Sequence, residues 1–254
     1  MASQEIEWLL KEKYHGEKSS AFFADCKRLA LGEPLAYLIG FVPFLGCKIS
    51  LGSHPLIPRP ETEHWTEEAI NTIRGGATLP LGLDGEKVVR VLDLCAGSGC
   101  IGIAVAKALP NTQVDFGEID QNHLPTIKLN LIENDVDLAR TNIVHSHLFS
   151  NITGTYDFIL SNPPYIDESL GRTDDSVRQH EPYISLFGGK EGLEVISKLI
   201  EDAPPHLSPG GQLWIEHEPE QSTTIQALGA KAGFSVTTHK DQYDVERYSI
   251  LVLQ

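Results

Sequence analysis

Apolar and polar positions change rhythm twice along this chain. Residues 1–31 carry two short helical stripes, Ile6-Trp8-Leu9-Leu10 and Phe22-Phe23-Cys26-Leu29-Ala30, as expected of helices that lay one face on something larger. Gly32-Glu33-Pro34 punctuates them, and Leu35-Ala36-Tyr37-Leu38-Ile39-Gly40 follows. From Phe41 to Ile57 the apolar residues are cut by Pro43, Gly46, Gly52 and Pro55, which predicts short strands with a hairpin turn near Leu51-Gly52-Ser53. In Pro58-Arg59-Pro60-Glu61-Thr62-Glu63 the prolines stiffen the approach to a helix predicted to run to about Ile73. Glu61 and Glu63 fall in its first turn, where acids suit the helix dipole. Residues 74–87, rich in Gly and Pro, read as a loop or linker.

After the linker, strand and helix alternate. Val88–Leu94 reads as a buried strand, Ile101–Leu109 as a helix, Gln113–Ile119 as a strand and Leu124–Ile132 as a helix. Ile143–His147 and Phe158–Ser161 read as strands, Leu193–Ile200 as a helix, Gln212–Glu216 as a strand and Thr224–Ala232 as a helix. Two strands close the chain, Phe234–His239 and Tyr248–Leu253. Strands spaced by helices imply an α/β fold with a mostly parallel sheet covered on both faces. Two consecutive strands at the end imply an antiparallel last strand. The expected division is a helical appendage over 1–40, a β-hairpin and linking helix over 41–74, and the main domain over 75–254.

Composition narrows the class of substrate. Thirty-five acidic residues against twenty basic ones leave a formal charge of −15, and no cluster of Lys and Arg offers the basic face that duplex nucleic acid requires. A protein or small-molecule substrate is expected, with no direct nucleic-acid contact. No apolar run approaches the ~20 residues of a membrane span, so no membrane partner is expected. Met1 to Lys18 reads as neither a secretory signal nor an Arg-rich transit peptide. A cytoplasmic location is expected, the mitochondrial matrix being the alternative, and a monomer is the default. Cys26, Cys47, Cys95 and Cys100 form no Cys-x-x-Cys pair, and no His-Glu-x-x-His occurs. Free thiols and no metal are expected.

The chemistry concentrates in Phe158-Ile159-Leu160-Ser161-Asn162-Pro163-Pro164-Tyr165. A buried strand meets two prolines that end it, and the proline after Asn162 keeps that residue extended. Asn162, the Pro163 carbonyl and Tyr165 are thereby presented at the carboxyl end of a strand, where open α/β sheets bind ligands. Asn162 offers an amide oxygen, and Pro163 a carbonyl with no N–H beside it. Two acceptors facing one way suit a flat NH2, as on a carboxamide or an exocyclic base amine. Tyr165 supplies a wall for a planar group. A Pro-rich turn after a core strand is the plain alternative.

A second cluster, Asp93-Leu94-Cys95-Ala96-Gly97-Ser98-Gly99-Cys100-Ile101-Gly102, sits where the first strand of the alternating region turns into its helix. Gly97 and Gly99 allow close backbone approach, and the helix start favours a negative group. Asp120 ends the next strand, where an acid commonly binds a ribose hydroxyl pair. Asp93 would repel a pyrophosphate; it either pins the loop or meets a cationic cofactor end, which favours S-adenosylmethionine over NAD.

Asp93–Gly99, Glu118-Ile119-Asp120 and Asn162-Pro163-Pro164-Tyr165, in this order, resemble class I S-adenosylmethionine-dependent methyltransferases that act on amino nitrogen. Pro58–Glu63 narrows the resemblance to the HemK-type protein-(glutamine-N5) methyltransferases. Gly32–Tyr37, Glu181-Pro182, Gly211–His217 and Asp244–Arg247 extend it from about residue 31 to the end. The resemblance implies a Rossmann-like class I methyltransferase sheet and methylation of the Gln in the Gly-Gly-Gln tripeptide of peptide chain release factors. It also implies that Cys95, Ala96, Gly97, Ser98 and Gly99 cradle the methionine part of S-adenosylmethionine, that Asp120 holds its ribose, and that Leu148 lies near the adenine. Asn162 and the Pro163 carbonyl would grip the target amide, with Pro164 and Tyr165 completing the quartet.

Three departures accompany it. Cys95 stands where the family usually has Gly, and His147-Leu148 where it usually shows an acid and a large aromatic, so adenine recognition is expected to use other contacts. The helical region before Gly32 is shorter than the family's, so release-factor docking is expected to be reduced or reorganised. Because Asn-Pro-Pro-Tyr also occurs in adenine-N6 methyltransferases, base methylation is one alternative, and an inactive cofactor-binding partner protein another.

Overall fold

The computed structural model describes residues 2–76 and 88–254. The linker expected over 74–87 thus lies, from residue 77 onward, outside the described residues. At the amino end, α1 (Ala2–Glu12), α2 (Ser20–Ala30) and α3 (Leu35–Ile39) close on a small core of Leu9, Phe22 and Leu38. Ser19 caps α2 by accepting the Phe22 N–H at 3.2 Å. Buried Asp25 gathers Lys13, Tyr14 and Arg28 at 2.7, 2.7 and 2.8 Å, so its charge leaves water with donors in place.

β1 (Phe41–Phe44) and β2 (Cys47–Ser50) form an antiparallel hairpin. Its turn is Leu45-Gly46, not the expected Leu51-Gly52-Ser53. Both turn residues have positive φ, 45° and 74°, the conformation that lets a two-residue turn match the twist of its strands. Gly46 adopts it freely. Leu45 is held there by Glu63, whose Oε1 accepts its N–H at 2.6 Å. A leucine carries no turn signal, which is why the pattern misplaced the turn. The helix α4 (Pro60–Gly75) then buries Trp65, Ala69, Ile70 and Ile73 along one face.

The main sheet has seven strands: β3 (Val89–Leu94), β4 (Thr112–Glu118), β5 (Thr141–His145), β6 (Tyr156–Ser161), β7 (Leu207–Glu216), β8 (Phe234–Lys240) and β9 (Glu246–Leu253). Their order is β5-β4-β3-β6-β7-β9-β8. β9 runs antiparallel to both its neighbours, β7 and β8, as two closing strands imply. β7 begins five residues before the expected Gln212, because a register shift against β6 absorbs Pro209-Gly210-Gly211 that reads as a break. β5 ends at His145, so His147-Leu148 lies on a loop and not in the strand.

Side-chain alternation divides the core. Val91, Phe158, Leu160 and Trp214 face α4, the hairpin, α5 (Cys100–Ala108) and α6 (Leu124–Glu133). Leu92, Leu94, Ile159, Leu213 and Ile215 face α9 (Glu194–Asp202) and α10 (Ser222–Lys231). Two helices escaped the sequence reading, α7 (Asp175–His180) and α8 (Tyr183–Leu186), each too short to show a period.

The hairpin is fastened to α6 by side-chain amides. Asn130 accepts the Ser50 N–H and donates to the Ser50 carbonyl; Asn134 does the same for Lys48. Residues four apart on a helix rise about 6 Å and residues two apart on a strand about 6.6 Å, so the two asparagines match the strand edge like a missing neighbour. Asn130 also donates to the Ser98 carbonyl, which ties hairpin, helix and Gly-rich loop at one point.

The helix α5 approaches β4 so closely that a Cβ on Gly102 would stand 2.4 Å from Phe116 Cε1 and 3.0 Å from Asp93 Cβ. Gly102→Ala is expected to destabilise the protein by about 1–3 kcal/mol, although alanine propensity alone would add roughly 1 kcal/mol. Urea titration of both forms checks this, and a stabilised variant would refute the close contact.

Candidate active site

The strand order reverses between β3 and β6, and the carboxyl ends of β3, β4 and β6 open there into a cavity of about 780 Å³, mouth included. That position suits a small-molecule site at a switch point. Cys95, Gly97, Glu118, Leu148, Asn162 and Pro164 are among its walls.

The loop after β3 is shaped by three left-handed residues, Cys95, Gly97 and Gly99, at φ of 63°, 55° and 78°. Asp93 lies beneath it, fully buried, with Oδ2 accepting the Gly102 N–H at 2.8 Å. Of its two expected roles the geometry supports pinning the loop, since Asp93 is not on the cavity wall. Among the described residues its Oδ1 has no hydrogen-bond partner, and burial, with Glu118 adding repulsion, pushes its pKa up to about 8. Ala96, Ser98 and Gly99 are buried in the body of the loop.

Glu118 carries more of the site than its place in the sequence suggested. Its Oε2 accepts the Gly97 N–H at 2.6 Å and its Oε1 the Asp120 N–H at 2.7 Å, so one carboxylate joins the ends of β3 and β4. Asp120 stands at the rim beside the lining residue Ile119. Its Oδ1 accepts both the backbone and side-chain N–H of Asn122 at 2.9 Å. Exposed His147 and buried Leu148 close the opposite wall. Ser146 Oγ holds that loop by donating to the Leu148 carbonyl at 2.6 Å and accepting the Asn151 N–H at 3.0 Å.

A second hollow of about 560 Å³ adjoins the first; both share Leu56, Asn162 and Ser185 as walls. Pro163, Tyr165 and Arg59 line the second but not the first. Asn162 therefore stands at the junction. Among the described residues no donor meets Asn162 Oδ1 or the Pro163 carbonyl, so both expected acceptors are free. Tyr165 presents its ring to the second hollow and donates its hydroxyl to Glu216 Oε1 at 2.8 Å.

Glu216 and Thr62 are the participants that motif reading missed. Glu216, at the end of β7, also accepts from Thr62 Oγ1 and Trp65 Nε1, each at 2.7 Å. Burial raises its pKa against the pull of those bonds. Thr62 in turn meets Asn162 Nδ2 at 3.1 Å. The available signal was an acid closing the apolar run Leu213-Trp214-Ile215, and a threonine inside the Pro58–Glu63 motif. Buried Glu181 links that motif to the segment before α8 by accepting the Ile57 N–H at 3.0 Å and pairing with Arg59.

Sheet order and the left-handed loop at the switch point are those of a class I S-adenosylmethionine-dependent methyltransferase. Residues 74–180 match the family model described as Methyltransferase small domain. The chain is 37% identical to a release factor glutamine methyltransferase of Rhodopirellula baltica over 85% of this chain and 72% of that protein. It is 32% identical to one of Borreliella burgdorferi over 94% of this chain and 78% of that protein. A methyltransferase structure from Pyrococcus furiosus shares the fold, with a TM-score of 0.55 at 20% identity over 90% of this chain and 97% of that one. The chain belongs to the release factor glutamine methyltransferase family.

Two outcomes test the loop. The unfolded carboxyl titrates near 4, so the stability that Asp93 contributes is largest below that pH and is lost as pH rises towards 8. Asp93→Asn, which cannot ionise, is expected to gain on the wild type by roughly 1–3 kcal/mol between pH 5 and pH 7 in urea unfolding. A gap that does not change with pH would show Asp93 charged in the fold. At position 95 a left-handed β-carbon costs roughly 1–2 kcal/mol, partly offset by the entropy a glycine loses on folding. Cys95→Gly is therefore expected to melt above Cys95→Ala; the reverse order would remove the strain.

Proposed function

We propose that this chain transfers a methyl group from S-adenosylmethionine to the side-chain amide nitrogen of the glutamine in the Gly-Gly-Gln motif of a peptide chain release factor. The observation that carries the reading is the acceptor pair: among the described residues no donor meets Asn162 Oδ1, at the junction of the two hollows, or the carbonyl of Pro163, which lines the second. Family membership selects a protein amide over a base amine, and the acidic charge agrees with that choice.

In this reading Cys95, Gly97, Glu118 and Leu148 would hold the cofactor in the first cavity, with Asp120 for its ribose, and the cofactor would supply an electrophilic methyl on a sulfonium. The loop residues fit that group: the left-handed turns bring the backbone close, and Glu118 offers the cationic end a carboxylate. The second hollow takes the glutamine side chain. An amide nitrogen is a poor nucleophile because its lone pair is delocalised into the carbonyl. Asn162 Oδ1 and Pro163 O each accept one N–H, which aims the nitrogen and favours the positive charge it develops. The cofactor would give up its methyl from the sulfonium to this nitrogen, and the nitrogen would then lose a proton that has become acidic. A strong general base is not required beforehand. A release-factor substrate places the enzyme in a compartment where translation ends, the cytoplasm in the simplest case.

With labelled cofactor, wild type is expected to label a release factor and to leave its Gln→Ala variant of Gly-Gly-Gln unlabelled. Asn162→Ala should lower kcat by at least about 100-fold while cofactor affinity stays within roughly threefold. Equal labelling of the Gln→Ala factor would overturn the site of modification, and an active Asn162→Ala the role of the amide.

A further inference from the structure

We infer that Thr62 and Glu216 are positioning residues that set which way round the Asn162 amide points. The inference rests on the function proposed above for the value of that orientation, but not for its existence.

An asparagine amide has a nearly symmetric shape and opposite chemistry at its two ends. Only the orientation with Oδ1 towards the second hollow can accept a substrate N–H; the flipped amide would present NH2 to NH2. Shape alone does not choose between them. Hydrogen-bond polarity does, and it can be followed outward from Glu216.

Glu216 is buried and receives three donors on two oxygens, Tyr165 on Oε1 and both Thr62 and Trp65 on Oε2. The Trp65 indole is a donor only. The carboxylate facing it is therefore an acceptor on that oxygen, and the Thr62 hydroxyl at 2.7 Å spends its single proton there. What remains on Thr62 Oγ1 towards Asn162 is lone pair. It can be met at 3.1 Å by Nδ2 but not by Oδ1. The NH2 is thus drawn to Thr62 and the carbonyl oxygen is left for the substrate. Thr62 is itself buried, with its backbone carbonyl occupied by the Thr66 hydroxyl, so the hydroxyl does not turn away at low cost.

Tyr165 belongs to the same arrangement. Its hydroxyl on Glu216 Oε1 anchors the far end of Asn-Pro-Pro-Tyr to the carboxylate that orients the near end. One carboxylate therefore holds both ends of the quartet that carries the acceptors.

The test pairs Thr62→Val, an isostere without the hydroxyl, with Thr62→Ser, which restores it. The first readout needs no substrate: the side-chain NH2 resonance of Asn162 in 15N-labelled protein, assigned by its loss in Asn162→Asp. Thr62→Val and Glu216→Gln are expected to speed its solvent exchange roughly tenfold or more, and Thr62→Ser to keep it near wild type. The second is turnover on a release factor. Thr62→Val should lose roughly 10- to 100-fold in kcat, with KM for the factor and cofactor affinity within about threefold, and Thr62→Ser should recover most of the loss.

Exchange and kcat unchanged in Thr62→Val would overturn the inference. So would a Thr62→Ser as impaired as Thr62→Val, which would point to the methyl group and packing instead. Unchanged exchange in Glu216→Gln would remove Glu216 from the chain of cause. Should wild type fail to label any release factor while exchange responds as expected, the positioning stands and the substrate reading falls.

Discussion

The buried carboxylate of Glu216 is the constraint around which the catalytic end of this molecule is arranged. A charge removed from water at the end of a central strand is tolerable only with donors supplied from several sides. Here they come from α4, through Thr62 and Trp65, and from the Asn-Pro-Pro-Tyr segment, through Tyr165. The helix that begins within Pro58–Glu63, at Pro60, and the loop that follows β6 are therefore not independent; each supplies what the other's anchor needs.

A comparable economy joins the remaining parts. Glu118 fastens the Gly-rich loop to the end of β4, and Asn130 fastens the same loop to the hairpin. Glu181 fastens the segment before α8 to the backbone and guanidinium of the Pro-rich approach. Loops gathered at a switch point carry many backbone groups that no sheet ladder satisfies. Side-chain amides and carboxylates take over that task, and in doing so they give the cavity walls defined positions.

Much of the architecture was legible along the chain. Long periodic stretches such as Ile101–Leu109 and alternating ones such as Gln113–Ile119 carry enough repeats to announce their type, and the closing pair of strands announced the antiparallel end. The hairpin turn was misplaced because Leu45 adopts a left-handed conformation only with Glu63 holding its N–H, a contact between residues 18 apart. A Pro and Gly interruption also misled: Pro209-Gly210-Gly211 breaks the pattern of β7 without breaking the strand, since a register shift takes up the extra length. Helices α7 and α8 left no trace because fewer than two turns cannot display a period.

The amino-acid order by itself determined the alternating α/β build, the acceptor-rich Asn162-Pro163 step, the Gly-rich loop after Asp93 and the family they resemble, because each rests on backbone preferences of adjacent residues. Tertiary structure alone decided how the acceptors are aimed. The amide of Asn162 takes its orientation from Thr62, 100 residues away, and Thr62 takes its polarity from Glu216, a further 154 along the chain from it. Hydrogen-bond direction depends on what the partner's partner is doing, and that is set only when the distant segments have been folded together.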